Sequence, residues 1–133
     1  MQKMPRLAAP ALIAALALSA CAATSQRTPL RDASDVALGQ RVYADGPVIQ
    51  PVEVIEDSRC PMNARCIWAG RVKVKMLWIR PTGEKQPFEV TLGESTPLAD
   101  GSITLESVRP EKRTGVTIKP ADYRFSFRFA GGL

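Results

Sequence analysis

The chain has 133 residues and a formal net charge of +5 at pH 7. It contains no histidine and three cysteines, so the commonest general base and the commonest metal ligand are both missing. Its basic residues are scattered among acidic ones, which argues against a nucleic-acid-binding surface. This length predicts one small domain preceded by a targeting segment.

Residues 1–20 have the order of an export signal. A short basic start, residues 1–6, precedes the apolar run of residues 7–18. As a helix this run would reach about 18 Å, short of the roughly 30 Å hydrocarbon core, so it predicts no stable membrane span. The segment ends in the tetrapeptide Leu18-Ser19-Ala20-Cys21.

This tetrapeptide resembles the lipobox of bacterial lipoproteins. The resemblance implies that the Cys21 thiol receives a diacylglyceryl group, that cleavage occurs before Cys21, and that the new amino terminus is acylated. Several acyl chains would form a durable membrane anchor. Ala22 favours the outer membrane, with the domain facing the periplasm. The alternative is an ordinary secretory signal, because Ala20-Cys21-Ala22 is also an A-x-A cleavage site.

Export leaves Cys60 and Cys66 as a pair in an oxidising compartment, where we expect a disulfide that makes the intervening loop rigid. Five residues separate them, too many for a C-x-x-C redox motif. With no histidine and no further thiols, a zinc site cannot be completed from soft donors, and a thiolate has no histidine to activate it. We therefore predict no metal and no cofactor.

The stretch around these cysteines resembles small uncharacterised bacterial envelope proteins that carry a DSRCP…C-x-WAG pattern between two strands. The matching residues are 57–61 together with Cys66, Trp68, Ala69 and Gly70. The resemblance implies architecture and envelope location, and it supplies no active site.

Residues 21–36 are polar and contain proline, which predicts a flexible tether. Residues 37–133 read as a β domain. Apolar and polar residues alternate over 71–79 and 123–129, and turn signals such as Asp45-Gly46 separate further runs. We expect an all-β fold, a small antiparallel sandwich or barrel of about six to eight strands. Pro51 predicts an edge position or a bulge within its strand.

The candidate binding residues lie in and beside the disulfide loop: Asp57, Arg59, Met62, Asn63 and Trp68. An exposed Trp68 would be an anchor for a ligand. We expect instead that it is buried against the disulfide, as in many sandwiches. Asp57 and Arg59 are expected to pair locally or cap the loop.

Basic residues also share strand faces: Arg71, Lys73 and Lys75 on one strand, Arg124 and Arg128 on another. If the two strands were neighbours, the five would form a surface for an anionic glycolipid or an acidic envelope protein. An ordinary solvated sheet face is the interpretation that we favour.

The first functional hypothesis is a non-enzymatic, lipid-anchored module that binds an envelope component through its disulfide loop. The alternative is a small envelope hydrolase or inhibitor that acts through loops 57–65 and 109–119. A third is a structural accessory subunit of a larger envelope complex. No phosphate-binding loop or serine-nucleophile motif occurs in the sequence.

Overall fold

The computed structural model of the protein describes residues 31–131, with side chains from Ala33 onward. The signal segment, Cys21 and residues 22–30 of the predicted tether lie outside this part of the chain. The regular structure consists of eight strands and one short 3-10 helix, Pro120–Asp122. The strands are β1 Arg31–Asp32, β2 Val42–Tyr43, β3 Val48–Asp57, β4 Val72–Ile79, β5 Lys85–Thr91, β6 Ser95–Leu98, β7 Gly101–Arg109 and β8 Arg124–Ala130.

The strands form two sheets, a five-stranded one in the order β1-β2-β3-β4-β5 and a three-stranded one in the order β6-β7-β8. Every neighbouring pair is antiparallel except β1 and β2. The all-β prediction is confirmed. The sheets do not close into a barrel, so the architecture is that of a small sandwich. Within residues 31–131, no helix has the length and apolar character needed to cross a membrane.

The core lies between the two sheets and is built by the alternating strands. On β4, Val72, Val74 and Met76 are completely buried, as the alternation predicted. On β8, Phe125 and Phe127 point into the same core from the other sheet. The predicted turn at Asp45-Gly46 joins β2 to β3, and Asp45 adopts a φ of 53° there.

The domain begins earlier than the predicted tether boundary at residue 36. Val36 is fully buried and exchanges two backbone hydrogen bonds with Phe125, of 2.8 and 2.9 Å. The carbonyl of Ala33 accepts a further bond from the N–H of Phe127. This segment therefore covers the free edge of β8. The sequence could not show it, because a single inward valine has no periodic pattern around it.

Two bulges bend β3, the first directly after Pro51, where the sequence predicted an edge or a bulge. Val52 and Ile55 are the unpaired residues, and both are partly exposed. After the second bulge, Asp57 lies opposite Val72, whose side chain is in the core. Residues that face each other across antiparallel strands share one side of the sheet. The two bulges cancel in the alternation of faces, so the Asp57 carboxylate points inward like Pro51 at the start of the bulged segment.

The five basic residues of the predicted sheet faces do not form one surface, because β4 and β8 belong to different sheets. Three of them are also paired with acidic side chains. These pairs are Lys73 with Glu89 at 3.0 Å, Arg71 with Glu56 at 2.6 Å and Arg128 with Glu106 at 3.0 Å. The two strand faces that carry these basic residues are therefore ordinary solvated faces, the interpretation that we favoured.

Candidate functional site

Two loops meet at one end of the sandwich, and we call residues 58–70 and 109–119 together the braced tip. The first loop connects β3 to β4 and contains the predicted disulfide between Cys60 and Cys66, with Cα atoms 5.8 Å apart. The second follows β7 and leads to the 3-10 helix.

The first loop is closed at its base by contacts between its two ends. The N–H of Ser58 donates to the carbonyl of Arg71 at 2.9 Å, and the N–H of Arg71 donates to Oγ of Ser58 at 3.0 Å. Gly70 lies so close to the Ser58 backbone that a Cβ atom would overlap the Ser58 carbonyl. Only glycine leaves room for this approach. The loop is therefore fixed at its base as well as by its disulfide.

The second loop supports the first through two hydrogen bonds. The N–H of Met62 donates to the carbonyl of Lys112 at 2.8 Å. The N–H of Thr114 donates to Oδ1 of Asn63 at 2.9 Å. Asn63, predicted as a binding residue, is thus occupied in joining the two loops. No local pattern predicts this pairing, because the partners are about fifty positions apart.

Asp57 and Arg59 form a bidentate ion pair beneath the tip, with Nε–Oδ1 and Nη2–Oδ2 distances of 2.8 and 2.9 Å. Their side chains are only 9 and 15% exposed. Arg59 also donates to the carbonyls of Val108 and Pro110, both at 3.1 Å. The predicted local pairing is confirmed, and Arg59 additionally ties the disulfide loop to the second loop.

Tyr123 completes this cluster, although the alternation over residues 123–129 indicates only a place in a strand for it. Its phenol donates a 2.8 Å hydrogen bond to Oδ2 of Asp57. Burial, followed by this hydrogen bond, raises the pKa of Tyr123 to about 12. Burial also acts to raise the pKa of Asp57, but the hydrogen bonds from Arg59 and Tyr123 outweigh it and hold that pKa below its ordinary value. Asp57 is therefore a saturated, ionised carboxylate.

Trp68 is 58% exposed, so the expectation that it packs on the disulfide is wrong. The end of the core is already filled by Val108 and Tyr123, both 7% exposed, which leaves no inward space for an indole. Trp68 is held only at its edge, where Nε1 donates to the carbonyl of Ser58 at 3.3 Å. More than half of the residue's surface is thus open to a ligand.

Three further apolar side chains are exposed on the tip. Met62 is 57%, Val116 58% and Ile67 102% exposed, the last value meaning that Ile67 projects beyond its neighbours. Met62 was among the predicted binding residues. Ile67 and Val116 were not among the predicted binding residues, because an apolar residue in a short loop is no more typical of exposure than of burial.

A shallow cleft of about 400 Å³ lies beside the tip, along the bulged part of β3. Leu38, Val52 and Ile118 provide apolar lining, and Glu56 and Asp57 contribute carboxylates. A hydrogen bond from Arg71 lowers the pKa of Glu56. Over residues 31–131, no group of three or more acidic or cysteine side chains is arranged to hold a metal ion.

Comparison of the chain with protein families, with curated proteins and with solved structures found no match.

Proposed function

We propose that the protein is a lipid-anchored, non-enzymatic binding module of the bacterial cell envelope, and that the braced tip is its binding surface. The observation that carries this proposal is the exposure of Trp68 on a loop fixed by a disulfide. An exposed aromatic side chain on a rigid support can bury a large apolar area while losing little conformational freedom.

The distribution of exposed apolar residues supports a local binding surface. Four of the seven large apolar side chains exposed within residues 31–131 lie on the tip, namely Met62, Ile67, Trp68 and Val116. An accessory subunit of a large complex would be expected to expose a broad apolar face instead. The anchor is inferred from the resemblance of Leu18-Ser19-Ala20-Cys21 to a lipobox, and it supports a location at the membrane, with the outer membrane preferred.

The alternative is a small envelope hydrolase or inhibitor that uses loops 57–65 and 109–119. The two loops are indeed in contact, through Met62 and Lys112. A general acid or base is expected to have a pKa near the working pH. The carboxylates of Glu56 and Asp57 have lowered pKa values and existing partners, which supports binding over catalysis.

Two measurements test the proposal. The intact mass of protein recovered from washed membranes should correspond to a chain that starts at Cys21 and carries acyl groups. A soluble, unacylated chain starting at Ala23 would overturn the anchor.

In-cell photo-crosslinking tests the tip. Ile67 is fully exposed, so a photoreactive residue can replace it without disturbing the packing of the domain. A probe at this position should give a specific adduct. The matched control is the same probe at Thr82, in the exposed turn between β4 and β5. Equal labelling from the two positions, or none from Ile67, would contradict binding through the tip.

A further inference from the structure

The charge of the domain is divided unevenly between the braced tip and the remainder. The tip contains six basic residues and one acidic residue, a net charge of +5, whereas the rest of residues 31–131 contains nine basic and twelve acidic residues, a net charge of −3. The basic residues of the tip are Arg59, Arg65, Arg109, Lys112, Arg113 and Lys119, and the acidic one is Glu111. The domain therefore has a strong charge polarity along its length.

Half of these cations are free to meet a ligand. Arg65, Arg113 and Lys119 are exposed, and none of them takes part in the ion pairs found within residues 31–131. By contrast, Arg59 is paired with Asp57. The free cations come from the same two loops as the exposed apolar side chains, Arg65 from the first loop and Arg113 and Lys119 from the second.

The apolar side chains of the tip have the chemistry of a bilayer interface. Tryptophan is enriched at the level of the lipid head groups, because its ring is apolar and its N–H is polar. Trp68 is accompanied by the fully projecting Ile67 and by Met62. Apolar residues flanked by lysine and arginine are typical of segments that lie in the interface of an anionic membrane.

The position of the anchor is compatible with a tip that faces the membrane. Arg31 pairs with Val42, which pairs with Ile49 near the start of β3. From Ile49 to Asp57 the bulged strand covers about 20 Å, because its partner strand spans only the six steps from Trp78 to Val72. The chain between Cys21 and Arg31 can span at most about 35 Å. This reach exceeds the distance from its attachment to the base of the tip, so the tether is long enough for the tip to turn toward the leaflet that holds the anchor.

We propose that the braced tip docks on the anionic phospholipid surface of the leaflet that carries the lipid anchor. Ile67 and Trp68 enter the head-group region, and Arg65, Arg113 and Lys119 bind lipid phosphates. This inference rests on the proposed function, for which it identifies the ligand. The anchor keeps the domain at the membrane, and the tip sets its orientation.

Electrostatics favours this orientation over the reverse. Each cation near an anionic leaflet contributes a factor of about five to binding, so three free cations correspond to a preference of about 100-fold. The remainder of the domain, at −3, is repelled by the same surface. The tip is therefore drawn toward the lipid while the opposite end is kept in water.

The two tryptophans of the chain provide a test. Trp68 lies on the tip, whereas Trp78 pairs with Ile49 at the other end of β4, with Arg80 over its ring at 4.8 Å. In the variant W78F, Trp68 is the only tryptophan and its fluorescence reports on the tip. In W68F, the fluorescence of Trp78 reports on the other end of β4. Each full-length acylated variant is reconstituted into vesicles with brominated acyl chains, made of phosphatidylcholine alone or with one third phosphatidylglycerol.

In the anionic vesicles, the fluorescence of Trp68 should be quenched and shifted to the blue, while Trp78 should be unaffected. The double variant R65E/R113E should reduce the ratio of tip-down to tip-up orientations by at least about 25-fold. The matched control K75E/K85E, which changes the net charge equally on exposed positions outside the tip, should leave the quenching unchanged. Circular dichroism of each variant checks its folding.

Absence of Trp68 quenching, or equal quenching in neutral and anionic vesicles, would overturn the docking. If the acylated protein shows no quenching yet crosslinks from Ile67 to a protein, the anchored binding module stands and its ligand is that protein. If the mass shows no acylation, the anchor is wrong. Quenching of the unacylated protein added to anionic vesicles then decides the docking independently.

Discussion

The phenol of Tyr123 and the carboxylate of Asp57 meet at a hydrogen bond of 2.8 Å, although they are 66 positions apart in the chain. Asp57 ends β3 in the larger sheet, and Tyr123 precedes β8 in the smaller one. The bond therefore links the two sheets directly beneath the braced tip. Because Arg59 holds the same carboxylate, the position of the disulfide loop depends on this junction.

Replacing Tyr123 with phenylalanine should lower the free energy of unfolding by about 1.5 kcal/mol at pH 7, the typical contribution of a hydrogen bond to a charged group. The aromatic stacking with Phe125, at 5.8 Å, is retained in this variant. Urea denaturation measures the effect. The matched control is Y43F, because Tyr43 is 46% exposed and should lose nothing comparable. Equal stabilities of the two variants would contradict the role of the phenol.

The same phenol predicts a loss of stability at high pH. Tyr123 has a pKa of about 12 in the folded protein against an ordinary 10.0, so the unfolded chain releases this proton first as the pH rises. The stabilisation is complete below pH 10 and disappears between pH 10 and about 12. It amounts to about 3 kcal/mol at most. In Y123F the free energy of unfolding should not show this part of the decline between pH 10 and about 12. A decline as steep as in the wild type would contradict the assignment to Tyr123.

Replacing Asp57 with asparagine should lower the free energy of unfolding by about 3 kcal/mol, because a largely buried guanidinium loses its counter-charge. In the wild type this contribution is present above the ordinary pKa of 3.8 and is lost as the pH falls through the lower folded value. The difference between D57N and wild type should therefore shrink at acid pH. Denaturation at pH 7 and in acid measures it, with E94Q, at an exposed carboxylate, as the control.

Replacing both Cys60 and Cys66 with serine should lower the free energy of unfolding by about 2 kcal/mol, the entropy expected from so short a closed loop. Far-ultraviolet circular dichroism should be unchanged, because no core residue belongs to the loop. Crosslinking from Ile67 should fall as the loop loses its shape. Reducing agent should destabilise the wild type to the same extent and leave the double variant unaffected. Unfolding of the whole domain would show that the core depends on the bridge.

Replacing Gly70 with alanine should destabilise the protein by about 3 kcal/mol, the upper range for inserting a methyl group into a packed site. The added Cβ would overlap the Ser58 carbonyl and separate the two ends of the disulfide loop. The control is G83A, where a Cβ meets nothing within 4 Å and only the φ of 88° is unfavourable. This strain costs about 1 kcal/mol. A smaller effect at Gly70 than at Gly83 would contradict the close approach.

The alternating strands and the turns were predictable because both are local patterns. Val72, Val74 and Met76 could be assigned to the core from their spacing alone, and Asp45-Gly46 from the turn that its residues favour. The disulfide followed from the cysteine count and the expected compartment. The bulge near Pro51 was indicated by the missing N–H of proline.

The site was harder to predict because it depends on contacts between distant positions. The partner of Asp57 on the other sheet, Tyr123, follows only from the packing of the two sheets. The burial of Trp68 was expected by analogy with larger sandwiches, in which a tryptophan fills the space beside an inter-sheet disulfide. Here the disulfide closes a loop outside both sheets, so the tryptophan remains outside the core.

The bulges of β3 have a consequence for chain length. The seven residues from Pro51 to Asp57 face only the five from Met76 to Val72, so the strand contains two residues that its partner does not match. A chain shortened by Val52 or Ile55 could keep both ends of the strand in register and would lose one bend. Because each bulge turns the strand, such a deletion would point the tip in a new direction without changing a single tip residue. The number of residues in β3 thus sets the direction in which the loop that follows it leaves the sheet.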